Sequence, residues 1–201
     1  MLTTNKFKSK NTRNENETPS NSNTQGGCKS CNKCSLCKHF LREGDTVLSY
    51  HTEQTYKIRS TITCQTAGVI YIIYDKICRK NYVGFSRNDM RERWANHKSH
   101  IKKQWKGCKL ATHFAEHRNN KHKIDTTTQA KYTECLKQQI EVMFIECVDP
   151  NLNSNNIDKT LLEREAYFQS FLKATVPFGG LCRRDTRREL LNNNNRNPFI
   201  F

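Results

Sequence analysis

The stretch GVIYIIYDKICRKNYVGF, residues 68–85, carries the clearest strand signals in the sequence. Its two ends, residues 69–74 and 82–85, are runs of β-branched and aromatic side chains with about seven residues between them. Such runs favour strands, and the short separation favours an antiparallel hairpin. We therefore predict a β-hairpin as the centre of an α+β domain.

The sequence periodicity changes after this hairpin, from alternation to a helical repeat. Four residues fall within one narrow arc at 100° per residue, with charged side chains elsewhere: Met90, Trp94, His97 and Ile101. This pattern is typical of an amphipathic helix. A shorter helix is predicted over residues 109–117, a third strand over residues 140–148 and a last helix over residues 161–172, and short strand-like pieces are predicted within residues 47–63.

The two ends of the chain differ in composition from this centre. Residues 1–26 are mostly Asn, Thr, Ser and Lys, which cannot bury enough apolar surface to offset the entropy of ordering, so we expect them to be disordered. Residues 183–201 are basic and rich in Asn, which predicts a loosely ordered tail. Between them lie a Cys-rich segment, residues 27–64, and the predicted folded domain, residues 65–182.

The charge of the chain points to an anionic partner. Its 34 Lys and Arg exceed its 19 Asp and Glu by 15, and residues 76–123 alone hold 14 basic against three acidic side chains. The basic residues are spread through periodic, aromatic-bearing sequence, which favours nucleic acid over a membrane surface. No run approaches the roughly 18 apolar residues of a spanning helix, and the N-terminus lacks a signal-peptide core, so we expect an intracellular protein.

Ten cysteines in a chain without an export signal predict metal ligands or buried thiols, because intracellular thiols are kept reduced. Four of them recur at every third residue: Cys28, Cys31, Cys34 and Cys37. Zinc would take these four thiolates or draw in His39 or Cys64. An iron–sulfur cluster is the alternative, because closely spaced cysteines also bind such clusters.

The last predicted helix places a carboxylate among apolar side chains. Its apolar face consists of Leu161, Phe168 and Leu172, and Glu165 projects into the middle of that arc. A buried carboxylate requires a cation, either an Arg or a metal. Glu163 points away, and we expect it to form a capping box with Thr160 three residues earlier.

Basic side chains lie along the rim of the predicted amphipathic helix. Arg93, His97 and His100 could serve a groove beside the sheet, although alone they favour a solvated basic face. Tyr71 and Tyr82, taken alone, favour packing, because aromatic residues in hairpin strands usually pack.

Taken in chain order, however, these residues resemble the GIY-YIG nuclease family. The likeness is carried by Val69-Ile70-Tyr71, Tyr82-Val83-Gly84, Ser86, Met90, Arg93, His97 and Glu165. Within the family the chain is most similar to the endonuclease domain of Penelope-like retroelements. Three features point there: the upstream Cys-rich segment, Ile62-Thr63-Cys64, and the sequence from His113-Phe114 to His117.

The resemblance implies a small three-stranded antiparallel sheet flanked by helices and a set of catalytic roles. Glu165 would bind one Mg²⁺ ion, Tyr71 would orient or deprotonate the attacking water, Tyr82 and His97 would support that network, and Arg93 would hold the phosphate oxygens. The predicted DNA-binding residues are Arg87, Arg91, Lys98, Lys102, Lys103, Arg183 and Arg184.

The resemblance also bears on the metals. It favours zinc at the Cys-rich segment. A second candidate zinc site consists of Asp75, Cys78, His113 and His117, for which the alternative is a Lys- and His-rich surface that faces DNA. Two departures stand out: Cys182 replaces an Asn that usually closes the site, and Asp75 replaces the first Cys of a pair. A thiol lacks the paired donor and acceptor of an amide, so Cys182 raises the expectation of weakened activity.

We therefore expect a nuclear, metal-dependent DNA endonuclease of the retroelement type that nicks one strand. The nicked end would prime reverse transcription, which implies a reverse transcriptase as partner. One alternative is a DNA-binding remnant that has lost cleavage. Another is a zinc or iron–sulfur module that binds protein or RNA and uses the nuclease-like part as a scaffold.

Overall fold

The computed structural model describes residues 26–119, 129–149, 151–152, 154–175 and 180–182. The predicted C-terminal tail, residues 183–201, and residues 1–25 of the predicted N-terminal tail lie outside these ranges, whereas Gly26, the last residue of that predicted tail, is described and buried. The strands are β1 (Gly27–Cys28), β2 (Thr46–Leu48), β3 (Thr55–Lys57), β4 (Thr61–Ile62), β5 (Val69–Asp75), β6 (Asn81–Ser86) and β7 (Ile140–Cys147). The helices are α1 (Ser35–His39), α2 (Met90–Lys102), α3 (Lys109–Asn119), α4 (Gln129–Gln139) and α5 (Ser154–Phe171).

The main sheet has three antiparallel strands in the order β6-β5-β7, which confirms the predicted α+β class and the predicted hairpin. β5 is the middle strand, and all seven of its residues are buried. A strand covered on both faces reads as a continuous apolar run, which explains why VIYIIY shows no alternation. The hairpin register places Tyr71 opposite Gly84 and Ile73 opposite Tyr82.

The Cys-rich segment packs against the free edge of β7. Leu41 forms a parallel bridge with Val142, whose N–H donates to Phe40 O at 2.7 Å and whose O accepts from the N–H of Arg42 at 2.8 Å. β1 pairs in parallel with β4, and the small β2–β3 hairpin lies beside them. Apolar residues of this segment and of the sheet belong to one buried cluster.

The helices depart from the sequence predictions in two places. α5 begins at Ser154, seven residues before the predicted start, so Thr160 lies within the helix. The predicted capping box of Thr160 with Glu163 is therefore wrong, and Glu163 instead lies 4.0 Å from Lys159 in an exposed ion pair. α4 was not predicted, because its sequence QAKYTECLKQQ has few apolar residues.

No helix within the described part of the chain combines the length and the apolar character that a membrane span requires.

Candidate active site and metal centre

Tyr71 reaches the candidate active site by crossing β6 at a glycine. Gly84 lies opposite Tyr71 in the hairpin, and a Cβ at Gly84 would stand 2.7 Å from Tyr71 Oη and 2.9 Å from Tyr82 Cε1. Real side chains do not approach so closely. The glycine of the Tyr82-Val83-Gly84 motif is therefore required by the tyrosine ring that lies over it.

Tyr71, Arg93 and His97 form one hydrogen-bonded group. The Tyr71 hydroxyl lies 2.6 Å from His97 Nε2 and accepts a hydrogen bond from Arg93 Nε at 3.0 Å. Arg93 and His97 stand four residues apart on α2, so they share one helix face. The Tyr82 ring lies edge-on to His97, with 5.7 Å between centroids. The structure thus brings four predicted catalytic residues together.

Burial sets the protonation of this group. It lowers the pKa of His97 to about 3, helped by the charge of Arg93, so the imidazole is neutral at physiological pH. Burial also raises the pKa of Tyr71 to about 12, although Arg93 opposes that rise, and it raises the pKa of Tyr82 well above its usual range. Both tyrosines are therefore protonated phenols near neutral pH, able to donate or accept a hydrogen bond.

Glu165 lies on α5 and opens onto a cleft that it shares with Arg93. The predicted apolar face is confirmed, because Leu161, Phe168 and Leu172 are fully buried, whereas Glu165 is partly exposed. Gln169 Nε2 donates to Glu165 Oε1 at 3.2 Å. The cleft has a volume of about 310 Å³ and is lined by Phe85, Ser86, Arg87, Asn88, Glu92, Arg93, Asn96 and Glu165.

Cys182 lies beside β6 and satisfies a backbone pair. Its Sγ accepts from Val83 N and donates to Val83 O, both at 3.3 Å, and its own N–H donates to Ala174 O at 2.8 Å. A thiol thus serves one donor and one acceptor of the strand next to Tyr82. The expectation that Cys182, in place of an Asn, weakens activity stays a prediction.

The predicted DNA-binding residues are exposed where the structure describes them, with differing partners. Arg87 pairs with Asp158 at 3.1 Å and Arg91 pairs with Asp89 at 2.6 Å. Lys98 Nζ lies 3.5 Å from Ser35 Oγ. Lys102 and Lys103 are exposed at the end of α2, and Arg183 and Arg184 lie outside the described residues.

A second constellation is a cluster of four thiols at Cys31, Cys34, Cys37 and Cys64, whose sulfurs all lie within 4.8 Å of one another. The Sγ atoms of Cys34 and Cys64 are 3.7 Å apart. Four sulfurs at Zn–S bond lengths of about 2.3 Å stand about 3.8 Å apart in a tetrahedron, so the cluster has the dimensions of a structural zinc site.

The backbone around the cluster is arranged for thiolates. The N–H groups of Cys34 and Cys37 point at Cys31 Sγ and Cys34 Sγ, each at 3.5 Å. Hydrogen bonds from the N–H groups of Cys34 and Lys33 lower the pKa of Cys31 to about 6. Burial and the neighbouring thiols raise the pKa of Cys64, a penalty that binding of a cation would offset.

The structure corrects the predicted zinc set at one position. Cys28 is fully buried on β1, and its Sγ accepts from the N–H of Phe144 at 3.4 Å, away from the other thiols. Cys64 takes its place, as one of the two sequence alternatives proposed. The β1–β4 pairing explains the difference, because it turns Cys28 into the core and carries Cys64 to the cluster.

Three of the four residues of the predicted second zinc site meet at the end of β5. Asp75 Oδ2 lies 2.8 Å from His113 Nε2, and Cys78 Sγ lies 3.4 Å from the same nitrogen. Although burial alone would raise the pKa of Asp75, hydrogen bonds from His113 and from the N–H groups of Cys78 and Ile77 hold it well below its usual range. The side chain of His117 lies outside the described residues.

This buried carboxylate has a structural role as well. Gln139 Nε2 donates to Asp75 Oδ2 at 2.6 Å, and two backbone N–H groups of the hairpin turn donate to Oδ1. Asp75 therefore joins the hairpin turn, α3 and the end of α4. Zinc at this position stays a prediction.

Among the site residues that escaped sequence reasoning are Gln169 and the cleft-lining Asn88, Glu92 and Asn96. Gln169 stands one helical turn after Glu165, and that i, i+4 spacing was the available signal. Asn96 lines the cleft from α2, three residues after Arg93, which places both on one side of the helix.

No protein-family model, curated protein or solved structure matches the chain.

Proposed function

We propose that the protein is a metal-dependent DNA endonuclease that nicks one strand, as its resemblance to GIY-YIG nucleases implies. The observation that carries the proposal is that Arg93 lines one cleft with Glu165 and donates to the buried Tyr71 hydroxyl, which also contacts His97. A cation and a carboxylate at one opening, with a hydroxyl bound directly to the cation, are groups that phosphodiester hydrolysis uses.

The donors at the cleft fit Mg²⁺. Glu165 and Glu92 provide hard carboxylate oxygens, Asn88 and Asn96 line the same space, and none of the described residues that line it carries a thiol or an imidazole. Mg²⁺ characteristically takes one or two carboxylates and keeps several waters, which an open cleft permits. When bound, the ion would supply Lewis-acid polarisation of a phosphate oxygen.

Arg93 serves the phosphate in this proposal. Its Nε donates to Tyr71 and its guanidinium also interacts with Tyr82, and in this proposal its remaining N–H groups bind non-bridging oxygens of the scissile phosphate. Because Tyr71 fixes one end of the guanidinium, its geometry is set before DNA binds. Such preorganised charge is effective in stabilising a transition state.

Tyr71 orients the attacking water in this proposal. A phenol with a pKa near 12 holds its proton at neutral pH, so it positions water more readily than it deprotonates it. The neutral His97 ring holds the Tyr71 hydroxyl in place, because its Nε2 lies 2.6 Å from that oxygen and burial keeps the pKa of the imidazole too low for it to act as a base near neutral pH.

The test is conversion of supercoiled plasmid to the open-circular form. We expect nicking with Mg²⁺ and none with excess EDTA. Plasmid that is bound in a gel-shift assay but never nicked would favour the catalytically impaired remnant instead.

A further inference from the structure

Trp105 is an exposed tryptophan in the loop between α2 and α3. Its side chain is 52% exposed, whereas Trp94, the other tryptophan of the chain, is buried. The loop and its flanks are not used by the proposed chemistry. A single exposed aromatic side chain is common on protein surfaces, so what singles out Trp105 is how its ring is held and which charges surround it.

The end of α2 fixes the position of this ring. The N–H of Trp105 donates to His100 O at 3.0 Å, and the N–H of Gln104 donates to Ile101 O at 3.1 Å, which together form a Schellman motif. Gln104 takes the left-handed conformation that glycine usually provides, with φ of 52°. A non-glycine residue there costs about 1 kcal/mol or more, which the contacts of the loop must offset.

Two neighbours hold the tryptophan ring. The His100 ring lies 4.3 Å from it, centroid to centroid. On the other side of the loop, a Cβ at Gly107 would stand 3.0 Å from the indole carbons. Trp105 is thus held by its neighbours and still presents half of its surface to solvent.

The charge around Trp105 has one sign. Residues 93–115 contain no Asp or Glu. The loop and the adjoining helix ends carry four exposed lysines, none with an ion-pair partner among the described residues: Lys102, Lys103, Lys106 and Lys109. An exposed, fixed aromatic ring within a purely basic surface is the combination that single-stranded nucleic-acid binders use, with the bases stacked on the ring and the phosphates on the lysines.

We propose that Trp105 is a stacking platform for an unpaired base of a DNA strand that leads to the active site. The proposal rests on the proposed nuclease function and adds a substrate class, namely DNA with a single-stranded segment beside the cut. Arg93 and His100 are seven residues apart on α2, about 10 Å along the helix and on nearly the same face. Because the His100 ring contacts Trp105, one strand that follows this face can reach both Arg93 and Trp105. A nucleobase fits better than a lipid surface, because the α2–α3 loop offers one aromatic ring and no further exposed large apolar side chain.

The test uses the fluorescence of Trp105. Purified full-length protein is titrated with oligothymidylate, with duplex DNA of equal length and with anionic phosphatidylserine vesicles. We expect oligothymidylate to quench the emission strongly and duplex to quench it weakly. Trp105→Phe should abolish the quench, because only buried Trp94 then remains.

Affinity provides a second readout. Stacking contributes roughly 1–3 kcal/mol per base, so Trp105→Ala should weaken oligothymidylate binding about 5- to 150-fold. Ile77→Ala, at another exposed apolar side chain (54%), is the matched control and should change little. Circular dichroism and thermal unfolding check that the variants fold, and Trp105→Phe, which keeps a ring, should lose less affinity than Trp105→Ala.

The outcomes separate this proposal from the nuclease proposal. Equal quenching by duplex, or quenching by vesicles and not by oligothymidylate, would overturn the stacking role. Quenching by oligothymidylate in a protein that never nicks DNA would support stacking and reject the nuclease. Efficient nicking by the Trp105→Ala variant, with unchanged oligonucleotide affinity, would support the nuclease proposal and reject the stacking role.

Discussion

The carbonyl oxygen of Cys64 accepts a hydrogen bond from the N–H of Met90 at 3.0 Å. Cys64 belongs to the thiol cluster, and Met90 is the first residue of α2, which carries Arg93 and His97 within its next two turns. Met90 N–H is one of the donors that a helix start cannot satisfy internally. The thiol cluster therefore helps to hold the helix that supplies two residues of the candidate active site.

The corrected zinc set predicts a difference between two buried cysteines. Cys64→Ala should lower bound zinc from about one equivalent to near zero, because three thiolates bind it much more weakly. Cys28→Ala should keep the zinc and lose only packing and one hydrogen bond. Elemental analysis of purified protein checks both.

The opposite pattern, with zinc lost from Cys28→Ala and kept by Cys64→Ala, would contradict the structure. If the purified protein is brown and contains iron and sulfide, the four thiols bind an iron–sulfur cluster and not zinc. Because Cys64 also accepts from Met90 N–H, we expect removal of zinc from the parent to slow nicking more than it weakens DNA binding.

Arg93 and Arg91 provide a matched pair on α2. Arg93→Ala should reduce turnover at saturating DNA by about 100- to 1000-fold, the usual effect of losing a preorganised transition-state donor. Arg91 is exposed and paired with Asp89. Arg91→Ala should therefore mainly lower the affinity for DNA and make that affinity less dependent on salt concentration. Single-turnover nicking rates at saturating protein measure this difference. Equal rate losses would mean that Arg93 is only part of the general basic surface.

Gly84→Ala should displace the Tyr71 side chain in the candidate active site. Its new methyl group would meet the Tyr71 ring and hydroxyl, so we expect a loss of about 1–3 kcal/mol in unfolding free energy together with loss of nicking. In the double variant with Tyr71→Phe, removal of the hydroxyl should relieve part of the clash. Chemical denaturation should then show that the double variant loses less unfolding free energy than the two single variants together. Strictly additive losses would argue against this contact.

His97 predicts a pH dependence of stability. Its pKa is about 3 in the folded protein and near 6.5 in the unfolded chain, so only the unfolded chain takes up this proton between those values. The contribution of neutral His97 is complete above pH 6.5 and falls as the pH drops toward 3. Between pH 6.5 and 5 the loss should be about 1.5 kcal/mol.

Urea unfolding of the parent and of His97→Gln at several pH values isolates this contribution. The stability difference between them should shrink by about that amount over the same range. Acid loss of zinc is common to both proteins and cancels in the comparison. A difference that is constant with pH would show that His97 is not held neutral by burial.

Much of the fold could be predicted because its signals are local. Burial is visible in the sequence of two elements, β5 and α2, and both are present as predicted. β5 contains the apolar run VIYIIY, and α2 carries the arc of Met90, Trp94, His97 and Ile101. α4 could not be predicted in the same way, because few apolar residues mark its buried face. The early start of α5 was missed because Ser154-Asn155-Asn156 has turn-like composition, and tertiary packing overrides such weak propensities.

The candidate site shows a similar division. Tyr71, Tyr82, Arg93 and His97 were named from a family pattern, and they meet in space. The ligand set of the thiol cluster could not be fixed, because spacing alone cannot tell that Cys28 turns into the core while Cys64 arrives from β4. The backbone role of Cys182 is likewise invisible in sequence, since it depends on which strand the segment returns to.

If Glu165 is the residue that holds the catalytic metal, Glu165→Gln and Glu163→Gln should differ sharply in Mg²⁺-dependent plasmid nicking. Both changes remove one charge from α5, but Glu163 is exposed and pairs only with Lys159 at 4.0 Å, whereas Glu165 lines the cleft with Arg93. We expect the Glu165→Gln variant to lose nicking activity while its DNA affinity and thermal stability stay near those of the parent. The Glu163→Gln variant should nick at the parental rate. Nicking by Glu165→Gln at the parental rate would contradict the assignment of Glu165 as the residue that holds the metal.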